Sequence, residues 1–447
     1  MTADGVLEIP DEAYEQVLTR VAAVDVAKAS GMVCTRLGAG DSGRRTSRVW
    51  QVPATTGAVA DLAAQLVAAG VQKVTVESTS DYWRIWFYLL EAAGLDVVLV
   101  NAREVKNVPG RAKTDRLDAV WLAKLTERGM LRASFVPPAP VRALRDYTRM
   151  RVDLTRDRTR YWQRLEKLLE DALIKVSVVA SSLSTVSARD MIEALIGGQR
   201  DPIVLAGLAR GRMRGKHEAL VQALTGRFDE HHGELARILL DQIDALDTQI
   251  NALTTRIAGL VDHLDTPAHP DPDAGAPSAQ PPAPASGPAQ RLGQIPGISP
   301  ESAQLIIAEI GVDMTRFPTA GHLVSWAKLC PRTIQSGAST SAAASGKGNP
   351  YLKGALGHAA ATAARGNTFL SARYRRLAKR RGKRKALVAV ARSILVIIWH
   401  LLADPTASYQ DLGPEHYSTH VTTQRKINSL VRQLKALGHD VTLQPAA

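Results

Sequence analysis

Over the first 135 residues, short apolar runs alternate with amphipathic stretches. Val21-Ala22-Ala23-Val24 is apolar and partly β-branched, the pattern of a buried central strand, and Asp25 follows it directly. Val71, Val74 and Val76 predict a second strand, which ends in Glu77. Ser78-Thr79-Ser80-Asp81 then reads as the cap of a helix running through Trp86 and Leu90. Asp96-Val97-Val98-Leu99-Val100 predicts a third strand ending at Asn101. After a basic loop, a helix begins near Asp115 and continues through Asp118, Ala119, Leu122 and Leu125. The proline-rich stretch 136–140 breaks this α/β region.

Helical periodicity takes over beyond it. The stretch 141–176 predicts one long helix, with Leu144, Leu154, Leu165, Leu168 and Leu169 among its apolar positions. A further helical pair spans 201–225 and 228–264, where Leu235, Ile238, Leu239, Ile243, Leu246, Ile250 and Leu253 recur at three- and four-residue steps. A seam of that length predicts a coiled coil or helical hairpin and offers an oligomer contact. The Pro/Ala-rich stretch 267–290 has few apolar anchors and predicts a disordered, semi-extended linker between two folded regions. Next comes a helix, a Pro296-Gly297-Ile298-Ser299 turn and a second helix, in which Gly297 is either a phosphate-facing glycine or a tight-turn glycine. A loop rich in serine and glycine follows, then Ala386 to Leu402, the most apolar stretch of the chain. That stretch is short for a membrane span and carries Arg392, so it predicts a buried helix.

The expected fold class is therefore α/β plus α. A ribonuclease-H/RuvC-like mixed sheet occupies residues 1–137, a helical, coiled-coil middle 138–266, the linker 267–290 and a mainly helical C-terminal domain 291–447.

Charge narrows the partner. Lys and Arg number 56 against 43 Asp and Glu, a formal charge of +13 that favours a polyanion. Arg145 and Arg149 lie one turn apart, as do Arg156, Arg160 and Arg164, so an arginine stripe runs down the long helix and suits nucleic-acid phosphates. Asp146, Asp153 and Asp157 also allow an ordinary exposed helix with internal ion pairs. The basic run from Arg373 to Lys385 poses the same choice, again resolved toward nucleic acid. Two cysteines, Cys34 and Cys330, exclude a disulfide framework and a cysteine-rich zinc site, and a reducing cytoplasm is the expected home. The polar, acidic first residues lack a secretory profile.

Candidate chemistry rests on carboxylates. Asp115 and Asp118, three residues apart, stack on one helix face, and Asp25 and Glu77 each end a strand. Four such acids can converge on divalent ions; Mg2+ takes hard oxygen ligands and leaves positions for phosphate oxygens. Helix N-terminal acids favouring the dipole are the plain alternative for Asp115 and Asp118. Asp25 resists that account, since an acid amid apolar residues is costly without a partner. In the loop after Ser336 and Gly337, the hydroxyls of Ser339, Thr340, Ser341 and Ser345 crowd together, and composition singles out none of them.

The runs VAAVDVAK, VTVEST, NAREVKNVPGRAKTDRLDAVWLAKL, IPGISPESAQLIIAEIG, AKLCPRTIQSG and KGNPYLKGAL, in this order, resemble the insertion-sequence transposases of the "IS one-ten" family. These are bridge-RNA-guided recombinases with an N-terminal DEDD RuvC-like domain and a C-terminal serine-bearing domain. The resemblance implies that Asp25, Glu77, Asp115 and Asp118 form the metal-binding tetrad for Mg2+, and that Ser336 is the nucleophile, with Ser339 and Ser341 as alternatives. It further implies donor and target DNA and a non-coding bridge RNA as partners, and a homo-oligomer, a dimer or tetramer. A cytoplasmic, nucleoid-associated location without a membrane follows. Lys347 and Lys353 join the arginines as expected nucleic-acid contacts. The competing expectation is a RuvC-like metal-dependent nuclease that uses water and forms no serine intermediate.

Overall fold

The computed structural model describes residues 18–38, 45–78, 80–101, 114–265, 287–337, 339–343, 346–416 and 423–444. The chain divides into two compact units, Met1–Val136 and Pro137–Ala447.

The first unit is built on a six-stranded mixed sheet in the order β3-β2-β1-β4-β5-β6. Its strands are β1 (Arg20–Val26), β2 (Ser30–Gly38), β3 (Arg45–Pro53), β4 (Lys73–Ser78), β5 (Val97–Asn101) and the short β6 (Ala133–Ser134). β1, β2 and β3 form an antiparallel meander, β1, β4 and β5 run parallel, and β6 is antiparallel to β5. β1 is thus central, as its apolar run requires. This is the α/β, RuvC-like arrangement expected of the N-terminal region.

The two sheet faces are covered differently. Helices α1 (Thr56–Ala68) and α2 (Trp83–Ala92) bury Val59, Leu62, Leu66, Trp86 and Leu90 against Val24, Val74 and Val76. Helix α3 (Asp115–Glu127) buries Ala119, Leu122, Ala123 and Leu125 with Ala23, Cys34 and Val100 on the opposite face. The expected cap at 78–81 is corrected. α2 starts later, with Tyr82 at the N-cap position and no side-chain cap, while Asp81 pairs with Arg84 at 3.3 Å.

The second unit is mainly helical. Long α4 (Ala139–Asp171) packs along long α9 (Glu230–Asp265), and a cap of short helices covers one end of the pair. Those are α5 (Val176–Val179), α6 (Val186–Ile196), α7 (Pro202–Gly207) and α8 (His217–Leu224). The stretch expected to form one helix over 201–225 is split, because the 3-10 turn Gly211–Lys216 intervenes between α7 and α8. Leu165, Leu169, Met191, Ile192, Leu240 and Ile243 share this core.

The expected linker 267–290 lies largely outside the described residues, and its last residues belong to helix α10 (Pro288–Gly293). Then follow α11 (Pro300–Ile310), α12 (Ala320–Trp326), the hairpin β7 (Arg332–Ser336) and β8 (Ser339–Ala343), α13 (Pro350–Ala363), α14 (Phe369–Arg381), α15 (Lys383–Ala403) and α16 (Thr423–Ala436). α15, the one described helix long and apolar enough to cross a membrane, is a core helix here. Val390, Ile394, Leu395, Ile398 and Leu401 are buried in it, and it packs on α12, α13 and α14.

Gly297 is a close-approach glycine. Its φ is +91°, and a Cβ there would stand 2.2 Å from the Ala359 carbonyl oxygen of α13. The close approach of α13 and the left-handed backbone both require glycine here, as the tight-turn alternative expected. Gly297→Ala should cost about 2–5 kcal/mol, adding left-handed strain to overpacking, and chemical denaturation would measure it.

Candidate active site

Asp25 is the sixth residue of β1, and Glu77 the fifth of β4. The two strands are parallel neighbours whose last registered pair is Val24 with Val76, one position before the acids. Side chains alternate with period two, so the faces can be read from the neighbours. Val24 and Val76 point to the α1/α2 core, whereas Ala23 belongs to the α3 core, and the Thr126 hydroxyl of α3 bonds the Thr75 hydroxyl at 2.8 Å. Asp25 and Glu77 therefore share the α3 face, on strands about 4.8 Å apart.

Helix α3 runs the opposite way over that face. Its C-terminal end sits at the start of β1: the Leu18 amide donates to the Glu127 carbonyl at 3.0 Å, and Glu127 pairs with Arg36 at 2.6 Å. Arg36 is registered with Val21, the second residue of β1. The N-terminal turn of α3 accordingly lies toward the strand ends that carry Asp25 and Glu77. Thr114 caps that turn, its hydroxyl accepting from the Leu117 amide at 3.3 Å, and Asp115 and Asp118 follow within it. Each acid stands one turn before a sheet-facing residue, Asp115 before Ala119 and Asp118 before Leu122, so both extend the inward stripe.

Reach differs among the four. From Thr126, Asp118 is about 12 Å up the helix and Asp115 about 16 Å, whereas Glu77 is about 7 Å along its strand from Thr75. Asp118 thus stands nearer the strand acids, and Asp115 is outermost. Burial follows the same order: Glu77 is 6% exposed, Asp25 and Asp118 are intermediate and Asp115 is exposed. The donor set is all carboxylate oxygen, directed toward one end of one sheet face, and is of the kind a hard divalent cation takes. Cys34 nearby is no competitor, because burial pushes its thiol up to about 11 and keeps it protonated.

Ser336 is the last residue of β7, not part of a loop as the serine- and glycine-rich composition suggested. It pairs with Ser339 across a turn in which Gly337 has φ +56°, the left-handed conformation that glycine accommodates. The ladder continues with Gln335 opposite Thr340 and Ile334 opposite Ser341, so Ser336, Ser339 and Ser341 occupy one parity of the ribbon and Thr340 the other. Ser345 lies outside the described residues.

The segment after the hairpin is anchored through Asn349, whose Oδ1 caps α13 by accepting from the Tyr351 and Leu352 amides. Its Nδ2 donates to Glu309 at 2.5 Å. Glu309, on α11, is completely buried. Arg149 grips both of its oxygens, at 2.7 and 2.8 Å, and Arg145 donates to the carbonyls of Ala308 and Glu309 at 2.9 and 2.8 Å. Arg151, which sequence reasoning missed, is also buried and bonds Gln304 at 2.9 Å and the Glu301 carbonyl at 3.2 Å. The first turns of the arginine stripe thus join α4 to α11.

The rest of the stripe lies on the surface. Arg156 pairs with Asp153 at 2.9 Å, Arg160 with Asp157 at 2.5 Å, and Arg164 stacks over Tyr161 at 4.9 Å. These are the internal ion pairs that the interspersed acids allowed. Tyr351 donates to Asp153 at 2.7 Å with Arg149 and Arg156 over its ring, and that hydrogen bond raises its phenol above the ordinary value. Lys347 is exposed. Lys353 donates to the Gly346 carbonyl at 2.8 Å, and partial burial lowers its ammonium.

Residues 22–174 match a transposase family model of the DEDD, IS110 type, and residues 289–375 match the model described as Transposase IS116/IS110/IS902 family. Together the two matches cover more than half of the chain. The chain belongs to the IS110 family of transposases. No curated protein matches it. The first match takes in all four acids and the whole of α4, and the second runs from α10 through the serine hairpin into α14. An IS110-family transposase is an enzyme that acts on DNA, and the DEDD type points to divalent-metal dependence.

Proposed function

We propose that this transposase cuts and rejoins DNA through a phosphoserine intermediate on Ser336, with Asp25, Glu77, Asp115 and Asp118 holding Mg2+. What supports the metal half is that strand register and the direction of α3 turn all four acids toward the same end of one sheet face. Bound Mg2+ would supply Lewis-acid stabilisation of charge developing on the scissile phosphate. In the serine step, the Ser336 oxygen forms a bond to phosphorus as one P–O bond of the DNA backbone breaks. The serine proton is lost, and the departing DNA oxygen takes one up. The ester linkage retains the bond energy, so rejoining needs no high-energy cofactor. The end position of Ser336 on a tight hairpin supports the assignment.

A non-coding bridge RNA supplies donor and target sequence in this reading, leaving shape and backbone to the protein. The high positive charge supports it. A homo-oligomer of two or four copies brings the active sites that two DNA partners require. The remaining nucleic-acid contacts fall to Arg156, Arg160, Arg164 and Lys347; Arg145 and Arg149 are engaged inside the protein.

The deciding experiment traps the covalent adduct on a suicide DNA substrate and maps the modified residue. Ser336→Ala should lose both adduct and cleavage, while Ser339→Ala and Ser341→Ala retain them. An adduct mapped to Ser339 or Ser341 would move the nucleophile along the ribbon. Cleavage surviving in Ser336→Ala with no adduct anywhere would establish the water-using nuclease.

A further inference from the structure

A cleft of about 460 Å3 opens beside the α4/α9 pair of the second unit, lined by no residue of the serine hairpin, and nothing above assigns it a role. Trp162 and Arg158 of α4, Ser182 and Ser184 of the α5–α6 loop, Arg189 of α6 and Asp247 of α9 line it. The volume lies in the range of small-molecule sites, about 300–1,000 Å3.

Its lining combines three kinds of recognition. Trp162 packs one side on the helical core and offers aromatic surface to the cleft. The two guanidiniums are held in place beforehand: Arg158 bonds Asp247, and Arg189 bonds both oxygens of Asp244, at 2.9 and 2.6 Å, and Glu193 at 3.0 Å. Each guanidinium carries five N–H donors, and these bonds leave some of them for a ligand. The hydroxyls of Ser182 and Ser184 stand 2.7 Å apart in a tight turn, adding short-range donors and acceptors. An aromatic face, fixed planar cations and paired hydroxyls correspond to the base, phosphate and sugar of a nucleotide. Because acidic partners already orient the arginines, less ordering cost falls on binding.

We propose that this cleft receives a single unpaired nucleotide of a nucleic-acid strand, its base against Trp162 and its phosphate on Arg158 and Arg189. A base within a duplex cannot enter, since both its stacking faces and its pairing edge are occupied. The site is therefore selective for single strands, bulges or extruded bases. Asp247 and the serines also offer acceptors to a ribose 2′-hydroxyl, so RNA and DNA are separate arms of the test.

The experiment uses the full-length chain and short single-stranded oligomers of mixed sequence, RNA in one arm and DNA in the other, each carrying photoreactive 5-iodouracil. A crosslink mapped to Trp162 in either arm, resistant to competing duplex, is the expected result and identifies the source of the nucleotide. Trp162→Ala should weaken binding of that strand roughly ten-fold at fixed salt, and Trp162→Phe should retain most of it. Trp162 also packs on the core, so the crosslink in the unmodified protein decides the matter if the alanine variant fails to fold. No crosslink at Trp162 in either arm, or equal competition by duplex, overturns the proposal. That outcome leaves the serine and carboxylate assignments untouched, because Ser336→Ala and Asp25→Asn are read by adduct and cleavage.

Discussion

On the proposed reading, Asp25→Asn should lower metal-dependent strand cleavage about a thousand-fold or more. Lewis-acid stabilisation at such sites is worth several kcal/mol, and each 1.36 kcal/mol is a factor of ten in rate. Asp25 and Glu77 should show the largest effects, since they occupy adjacent strands at the floor of the cluster. Asp118 comes next, and Asp115, outermost and exposed, should be the most tolerant. The order separates this site from a set of helix-capping acids, in which Asp115→Asn and Asp118→Asn would lower stability slightly and leave cleavage intact. Two measurements are needed. One is the cleavage rate against Mg2+ concentration for each variant. The other is the rise in Tm on adding divalent metal to the free protein: saturating ligand at 100 times its Kd stabilises by about 2.7 kcal/mol. That rise should vanish in Asp25→Asn. Wild-type protein showing no metal-dependent rise, together with undiminished cleavage by Asp25→Asn, would dismiss the carboxylate site.

The strand positions of Asp25 and Glu77 were legible in the sequence because an acid after an apolar run violates the hydrophobic pattern. A strand reading Val21-Ala22-Ala23-Val24 followed by Asp25 has to be central and has to end at something polar, and the sheet order places it in the middle. What the pattern did not disclose was β2 and β3, whose alternation is blurred by Arg36, Arg48 and other polar residues of an edge meander. Nor did it disclose the β7–β8 hairpin, whose second strand is mostly serine and alanine with little strand-forming bulk. The arginine stripe shows the limit of charge reading most clearly. Arg145, Arg149 and Arg160 look alike in sequence, yet the first two are turned inward onto α11 while the third faces solvent beside Asp157. Only the partner helix, more than 150 residues away, distinguishes them. Glu309, within the apolar run Leu305-Ile306-Ile307-Ala308, was the available signal: a carboxylate in a core-forming helix demands cationic partners.

That pairing sets the second large effect. Glu309→Gln leaves the half-buried Arg149 guanidinium beside a neutral amide; breaking a fully buried pair from one side costs about 3–5 kcal/mol, and the 32% exposure of Arg149 puts this pair toward the lower end. Arg149→Met should cost a comparable amount, now because the Glu309 carboxylate loses its bidentate partner. Arg145 keeps its two carbonyl bonds in either variant but loses its 3.5 Å ion pair with Glu309 when that carboxylate is replaced, so Glu309→Gln should be the costlier of the two single changes. The double substitution Arg149→Met with Glu309→Met should therefore be less damaging than either single change, since matched apolar side chains can replace a buried ion pair at little cost. Thermal or urea unfolding of the four proteins gives the coupling directly, and strictly additive losses would deny that the pair acts as a unit. Function should not recover in parallel. The double variant still lacks the Glu309 oxygen that accepts from Asn349 Nδ2, and Asn349 fixes the first turn of α13 directly after the serine hairpin. Recovery of stability without recovery of covalent-adduct formation is the expected signature of a carboxylate that holds two helices together and, through one amide, steadies the segment following Ser336.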